Sequence, residues 1–200
     1  MSIRSASGHV LGLTVLVMMT ACAVGTTFVR PQADAVELGK TTYSQLVSRL
    51  GKPESEDRRR QNDVVFREVS YSYVGDAEAP KVPNTMGGRE LTFLLVDEVV
   101  VGEQFMSSYA VDATDFDERK IDTIVKGKTR CDEVVAMLGR PSARAIYPAV
   151  DAKGESLIGY VFWYAKRPYL QFKMFKKSLI VDCDSIGVVK STSYSEEGDR

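Results

Sequence analysis

One fifteen-residue segment occurs twice in this chain, and the two copies begin 88 positions apart. Residues 39–53 read GKTTYSQLVSRLGKP, and residues 127–141 read GKTRCDEVVAMLGRP. Seven positions are identical (Gly, Lys, Thr, Val, Leu, Gly and Pro), whereas ordinary residue frequencies would give about one by chance. The repeat therefore predicts a duplicated structural unit.

Each copy has the pattern of a short, capped helix. Thr41 and Thr129 are the predicted N-cap residues, because a threonine hydroxyl can accept a hydrogen bond from an N–H of the first turn. Four apolar residues in each copy have the spacing i, i+3, i+4 and i+7, which places them on one helical face. Gly51 and Gly139 favour termination, and the proline two residues later forbids continuation. We therefore expect two helices of about ten residues each.

After each helix the pattern changes to the alternation that is typical of strands. The predicted strands are 64–74, 90–96, 99–107, 143–149, 157–165, 171–181 and 188–194, with a hairpin turn at 97–98, a turn at 182–187 and a long irregular loop at 75–88. Further helical segments are predicted at 33–38 and 112–125. The predicted fold class is α+β with two tandem units, 33–112 and 113–200, each having one or two helices on one face of an antiparallel meander of three or four strands.

The first 21 residues have the features of a bacterial secretion signal. Arg4 supplies a positive start, residues 10–19 are apolar, and small residues precede Cys22. Met19-Thr20-Ala21-Cys22 resembles a lipobox, in which the cysteine is lipidated and becomes the mature N-terminus. Residues 22–32 would then form a tether between lipid and fold. A signal anchor is the alternative, because residues 10–29 form a twenty-residue stretch without charge that could just span a bilayer.

The composition of the mature chain argues against several kinds of site. His9 is the only histidine and lies in the predicted signal, so we expect no Ser-His-Asp or Cys-His pair and no histidine-ligated metal. Removal of the signal takes away Arg4 and no acid, which changes the formal net charge from −1 to −2 and gives no reason to expect nucleic-acid binding. Asp151, Asp182 and Asp184 lack the spacing of a calcium loop. We expect no enzyme activity, no cofactor and no metal.

Two cysteines remain in the mature chain, Cys131 and Cys183. An even number of cysteines in an envelope compartment fits one disulfide, here within the second unit. However, Cys131 lies on the apolar face of the predicted helix, so two unbonded core cysteines are the alternative. Both interpretations remain open on the sequence alone.

The repeat motif and the predicted lipobox together resemble one family of lipoproteins. The motif is Gly-x-Thr, four residues, Val or Leu, three residues, then Leu-Gly-x-Pro; it occupies positions 39, 41, 46, 50, 51 and 53, and again 127, 129, 134, 138, 139 and 141. With an aromatic strand and a hairpin after the helix, this is similar to the SmpA/OmlA family, which includes the BamE subunit of the outer-membrane β-barrel assembly machine. The resemblance implies BamE-like units and barrel-assembly components as partners.

The tandem arrangement is also similar to the secreted β-lactamase inhibitor proteins, which bind an enzyme across a sheet surface. Those inhibitors have no lipobox, so this second resemblance concerns architecture. Most motif positions are caps and core residues, and such residues transfer a fold rather than an activity. Neither resemblance assigns contact residues to this chain.

Two charged segments are candidate binding surfaces. Arg58, Arg59 and Arg60 stand among acids and read most simply as a self-neutralised, solvated strand edge, with a partner or headgroup patch as the alternative. In segment 166–177 basic residues alternate with aromatics, which would suit an acidic partner or an anionic bilayer at roughly 1 kcal/mol per basic side chain. An ordinary strand with its lysines outside is the simpler interpretation. The candidate residues are Lys166, Arg167, Tyr169, Phe172, Lys173, Lys176 and Lys177.

The sequence thus predicts an outer-membrane lipoprotein that faces the periplasm and acts by protein binding, in outer-membrane assembly or integrity. Ala23, not aspartate, follows the predicted lipidated cysteine, which resembles an outer-membrane-directed signal. The alternative is an inhibitor-like module that binds and occludes a periplasmic or extracellular enzyme.

We expect Cys22 to be the lipidated N-terminus of the mature protein. Mass spectrometry of the membrane-extracted protein should show a chain that begins at Cys22 and carries acyl mass. The Cys22→Ser variant should lack that mass and stay unprocessed, because the thiol is the acyl acceptor. Recovery of membrane-bound wild-type protein with an intact N-terminus containing Arg4 would show a signal anchor instead.

Overall fold

The computed structural model describes residues 23–61, 63–166 and 173–198, which form one antiparallel sheet with two short α-helices. The predicted lipidation site Cys22 lies outside these residues. Within them, no helix is both long enough and apolar enough to cross a membrane. The elements are β1 (Val24–Gly25), α1 (Tyr43–Leu50), β2 (Ser55–Gln61), β3 (Val64–Val74), β4 (Gly88–Val96), β5 (Val99–Ser107), 3₁₀ turns at Ala110–Asp112 and Glu118–Thr123, α2 (Cys131–Leu138), β6 (Ala143–Ile146), β7 (Ser156–Lys166), β8 (Lys173–Cys183) and β9 (Val189–Gly198).

The sheet runs in the order β1, β3, β4, β5, β6, β7, β8, β9, and β2 pairs with β3 beside β1. All of these pairings are antiparallel. The described chain therefore has an α+β fold, and β3 to β9 agree with the seven predicted strands to within about four residues. The strands β1 and β2 were not among the predicted ones. The predicted units do not have separate sheets, because β5 of the first pairs with β6 of the second.

Both helices pack on the same face of the sheet. Leu46 of α1 lies in a buried cluster with strand residues that include Leu91 and Phe105, and Val134 of α2 lies in a second cluster with Tyr160 and Leu179. Residues directly opposite one another on neighbouring strands share a face. The register connects the two clusters across the sheet through the pairs Leu91–Phe105, Glu103–Arg144, Arg144–Ile158 and Ile158–Val181.

The predicted N-caps are wrong by one residue. The N-cap positions are Thr42 and Arg130, and the threonines before them close the preceding turns instead. The hydroxyl of Thr41 accepts the backbone N–H of Glu37 at 2.9 Å, and the hydroxyl of Thr129 accepts the N–H of Val125 at 2.8 Å. The helix ends are as predicted, because Gly51 and Gly139 have positive φ angles of 83° and 87°.

The two repeated segments make the same hydrogen bonds to the strand hairpins that follow them. The N–H groups of Gly39 and Gly127 donate to the carbonyls of Val100 and Val189, and the N–H groups of those valines donate back to the carbonyls of the repeated threonines 41 and 129. The hydroxyls of Tyr71 and Tyr160 donate to the carbonyls of the helix-ending glycines 51 and 139, at 3.0 and 3.1 Å. The identical residues of the repeat therefore fix how each helix joins its sheet.

Three segments differ from the prediction. Residues 112–125 form short 3₁₀ turns where a helix is predicted, and 33–38 form turns. Residues 23–32 are not a free tether, because Val24 pairs with Val74 and Phe28 packs against the first cluster. Each of the three segments has contacts with residues far away in the sequence: Val36 lies in the first cluster, Asp112 pairs with Arg89, and Val24 pairs with Val74.

The side chain of Arg30 lies where the first predicted unit (33–112) meets the second (113–200), between Phe105 and Pro141. Its guanidinium donates to the carbonyl of Pro141 at 2.6 Å and lies 5.1 Å from the ring centre of Phe105. Burial is the main reason that the pKa of Arg30 falls to about 10. The segment predicted to be a tether therefore contributes to the junction of the halves.

A buried ion pair fixes the chain as it leaves β5. Arg89 and Asp112 have side chains that are 3% and 6% exposed, with nitrogen and oxygen 2.6 Å apart. The hydroxyl of Ser107 donates to the same carboxylate at 2.6 Å, and Arg89 also donates to the carbonyl of Phe28. A charge pair buried to this degree needs such additional hydrogen bonds to offset its desolvation.

Cys131 and Cys183 are joined by a disulfide, with Cα atoms 6.3 Å apart. The bond connects the first residue of α2 to the last residue of β8. Both cysteines also belong to the second buried cluster. The structure therefore shows the disulfide and not two unbonded cysteines, while the predicted position of Cys131 on the buried face of its helix also holds.

Reduction of this disulfide should lower the free energy of unfolding by about 4 kcal/mol, because the bond closes a loop between residues 52 apart in sequence. Urea unfolding with and without reductant measures the difference. The double variant Cys131→Ala/Cys183→Ala should be as unstable as the reduced protein and insensitive to reductant. Unchanged stability of the wild-type protein in reductant would show that the bond is not formed in solution.

Candidate binding surfaces

The predicted basic and aromatic segment is divided between the two faces of the sheet. Strand alternation places Lys173, Phe175 and Lys177 on the helix-bearing face, whereas Lys176 lies on the opposite face. Arg167, Tyr169 and Phe172 lie outside the described residues. The described lysines therefore do not form one continuous surface.

Lys177 is buried, which contradicts its predicted place on an exposed surface. It is only 6% exposed, and its ammonium lies 2.9 Å from Asp115 and 2.6 Å from Glu118. The same ammonium donates to the carbonyl of Phe116 at 2.5 Å and lies 4.6 Å from the centre of that ring. Lys177 therefore connects residues 115–118, which precede α2, to β8.

The other described lysines of the segment are nearer to solvent. Lys166 is half-buried and lies 5.2 Å from the ring centre of Tyr164. Lys173 is exposed and is the strand partner of Lys166, and Lys176 is half-buried. These three remain candidates for a surface contact, and nothing in their arrangement selects a partner.

Beside Lys177 lies a groove that sequence reasoning missed, and we call it the aromatic groove. Its volume is about 680 Å³, and it lies between β7, β8 and the segment that follows β5. Phe162, Tyr164 and Phe175 form a buried cluster there, with the rings of Tyr164 and Phe175 stacked at 5.2 Å. The alternating aromatic residues 160, 162 and 164 indicate one side of this groove in the sequence. The acidic residues Asp115, Asp117 and Glu118 on its other side could not be placed there from the sequence.

The opposite face of the sheet, which we call the open face, is covered by neither α1 nor α2. A depression of about 330 Å³ lies at its centre, where β4 to β8 run side by side. Its floor is built from small and apolar residues. The short side chains of glycine and alanine leave the space above the sheet that forms the depression. The floor residues are Leu94, Gly102, Met106, Ala143, Ala145, Leu157 and Ile180.

Charged residues surround this floor. Arg59, Glu68 and Glu90 line the same depression from the open face. Arg144 also borders it, but its guanidinium lies on the helix-bearing face, where it forms an ion pair with Glu103 at 2.6 Å. An apolar centre with a polar rim is the usual composition of a protein-binding surface. In the sequence these small residues are far apart. They become neighbours only in the register of β5, β6 and β7, where Gly102 pairs with Ala145 and Ala143 pairs with Gly159.

Trp163 and Tyr164 are neighbours on β7 and lie on opposite faces of the sheet. Tyr164 is buried, but Trp163 is half-buried and points to the open face, where its ring lies close to Gly88. The indole nitrogen of Trp163 has no hydrogen-bond partner among the described residues. Trp163 therefore contributes apolar surface at the end of the open face.

The arginine run lies on β2, an exposed strand at one border of the sheet. Arg59 is 3.9 Å from Glu68 and 5.5 Å from the ring centre of Phe66. Glu56 on the same strand forms an ion pair with Arg67 of β3 at 2.7 Å. This arrangement agrees with a charged, solvated strand edge.

No protein-family model matches this chain, and neither does any curated protein. Among solved structures, the chain is similar to a Streptococcus mutans protein provisionally named a beta-lactamase inhibitor protein. The two share 14% identity over 78% of this chain and 82% of that chain, with a TM-score of 0.43. A likeness this distant carries no argument about function. The SmpA/OmlA resemblance remains an interpretation of the repeat motif and the lipobox.

The Lys177→Met variant should lower the free energy of unfolding by about 2 kcal/mol. This is less than the roughly 3–5 kcal/mol for breaking a fully buried pair, because Asp115 and Glu118 are 34% and 30% exposed and keep some hydration. The matched control is Lys176→Met on the other face, which should change stability by about 0.5 kcal/mol or less. Equal effects of the two substitutions in urea unfolding would contradict a structural role for the Lys177 ammonium.

Proposed function

We propose that this protein is a lipid-anchored module of the bacterial outer membrane that binds another envelope protein through its open face. It faces the periplasm, catalyses no reaction and takes part in outer-membrane assembly or integrity. The lipobox-like sequence at Cys22 supports the anchor and the compartment. The absence of histidine after residue 9 supports binding rather than catalysis.

The open face is the observation that carries this proposal. A sheet face in a small protein normally packs against helices or another layer, yet here the apolar floor of the depression is covered by neither α-helix. Apolar surface of this kind, bordered by charges, is typical of a site that another protein covers. The small residues of the floor would let a protruding side chain of the partner approach the sheet backbone.

We further propose that the scaffold arose by duplication of one helix-and-meander unit, as the tandem BamE-like interpretation requires. The equivalent hydrogen bonds of Val100 and Val189 support this. So does the strand irregularity next to each valine, where one residue is skipped in the pairing of β4 with β5 and again in that of β8 with β9. The duplicated elements supply the scaffold, and the open face is formed where the units join.

Site-specific photocrosslinking in intact cells tests the proposed interface. A crosslinking residue at Met106 or Ile180, both on the open face, should capture one defined envelope protein. The same residue at Ser48, on the solvent side of α1, should capture little. Barrel-assembly components among the products would support the assembly role, whereas a single soluble hydrolase would favour the inhibitor-like alternative.

The Ala145→Arg variant should reduce this capture at least tenfold, because it places a long charged side chain on the floor of the depression. The control is Ser48→Arg, which should leave both capture and thermal stability unchanged. Capture that is equal at Ser48 and on the open face, or that persists in Ala145→Arg, would contradict the proposed interface.

A further inference from the structure

A cleft crosses the helix-bearing face where the two buried clusters meet, and we call it the arginine cleft. It consists of two depressions, of about 480 Å³ beside α2 and about 500 Å³ beside residues 33–38. Ala33, Arg144 and Ile158 line both depressions, so the two adjoin. Each has a volume in the usual range for small-molecule sites, about 300–1,000 Å³. The cleft is therefore large enough to hold an elongated small molecule.

The first depression, beside α2, has an excess of positive charge. Besides the three shared residues, it is lined by Val135, Gly139, Arg140 and Pro141. Arg144 is neutralised by Glu103, with nitrogen and oxygen 2.6 Å apart. Arg140, in contrast, has no ion-pair partner among the described residues. One positive charge in this depression is therefore not balanced.

Arg140 also keeps most of its hydrogen-bonding capacity. Its Nη2 donates to the carbonyl of Pro31 at 2.8 Å, whereas its Nε and Nη1 have no acceptor within the described part of the chain. Burial lowers the pKa of Arg140; Glu103 opposes this shift and Arg144 adds to it. The guanidinium remains protonated at neutral pH. A partly buried cation with free N–H groups is stabilised by an anion that brings acceptor oxygens.

A third guanidinium adds positive charge behind the same wall. Arg30 donates to the carbonyl of Pro141 at 2.6 Å, and its buried Nε has no hydrogen-bond partner among the described residues. After burial, the charge of Arg140 is the largest cause that lowers the pKa of Arg30 to about 10. Asp112, an acid near Arg30, already pairs with the buried Arg89. Negative charge around the first depression is therefore in short supply.

The second depression has the opposite character. Its walls are mainly apolar and include Leu38 and Ile146. Apart from the shared Arg144, its charged lining residues are the exposed acids Asp34 and Glu37. An anionic group is attracted to the arginine end of the cleft and repelled from this end. The cleft therefore orients an elongated ligand, with its anionic head in the first depression and its apolar part in the second.

We propose that the arginine cleft binds a single-chain carboxylate amphiphile, of the long-chain fatty acid class. The carboxylate accepts hydrogen bonds from the free Nε and Nη1 groups of Arg140, and the alkyl chain passes Ile158 into the second depression. One carboxylate matches the one unbalanced charge, whereas a phosphate monoester would bring about two. The arginines lie on the opposite face of the sheet from the open face, so the proposal does not depend on the proposed protein partner.

A peptide and a phospholipid are poorer occupants of this cleft. Strand β6, which carries Arg144, is paired on both sides with β5 and β7. It has no free edge for the main-chain hydrogen bonds on which the addition of a peptide strand relies. A phospholipid brings two chains, but only one apolar depression adjoins the arginines. The shape and the charge of the cleft therefore favour a single chain with one carboxylate.

Photolabelling with a diazirine-bearing dodecanoate tests the proposal. The full chain is held in phosphatidylcholine vesicles, at a mildly alkaline pH at which the probe is ionised. After irradiation, mass spectrometry should locate adducts at residues 34–38 or at Ile146, which line the second depression. Excess dodecanoate should remove these adducts, whereas excess dodecyltrimethylammonium should not. Arg140→Gln should reduce the labelling at least tenfold, because it removes a charge-assisted contact to the carboxylate.

The matched control is Arg49→Gln, which should label as the wild-type protein does. Arg49 also donates to the N-terminal segment, at the carbonyl of Ala35, but it does not line the cleft. Ala33→Trp should reduce labelling as Arg140→Gln does, because it fills the passage between the depressions while both arginines remain. Since Ala33 is exposed, this variant keeps the test decisive if Arg140→Gln does not fold.

Four results would overturn the proposal. The first is labelling that excess dodecanoate does not remove, and the second is equal competition by dodecyltrimethylammonium. The third is full labelling of Arg140→Gln or of Ala33→Trp. The fourth is complete loss of labelling when the vesicles contain phosphatidylglycerol, because the occupant would then be a bilayer phospholipid.

Discussion

The continuity of the whole sheet depends on one short strand ladder, the three residue pairs between β5 and β6. A ladder this short would be weak alone, and two arginines reinforce it. Arg144 pairs with Glu103 across the ladder, and Arg30 donates to the carbonyl of Pro141 from the N-terminal segment. Because the floor of the open face extends over β4 to β8, the proposed binding surface exists only while this junction holds.

Local patterns in the sequence predicted the elements well, and long-range contacts account for the errors. Strand β3 has the predicted bounds, because alternation over 64–74 is a local property. The threonine caps were misplaced because Thr41 bonds backward to Glu37 rather than forward into its helix. The 112–125 segment failed as a helix because Asp112 and Phe116 are held by Arg89 and the second cluster, and those contacts cross the fold.

The candidate surfaces were harder to predict than the fold. Strand alternation alone would have placed Lys177 beside Phe175 and Leu179, on the buried side of β8. What sequence could not supply was its counterions, because Asp115 and Glu118 lie about 60 residues away and reach Lys177 only in the folded chain. The open face could not be predicted without the strand register, since no contiguous motif encodes it.

The pairing of Val24 with Val74 has a consequence for how the protein meets its partners. Only Ala23 separates that strand from Cys22, and an extended chain covers about 3.5 Å per residue. Under the proposed lipidation, the sheet would be held at nearly constant height above the bilayer. Its encounters would then be a two-dimensional search in the membrane plane, and only partners that present a site at that height would be found.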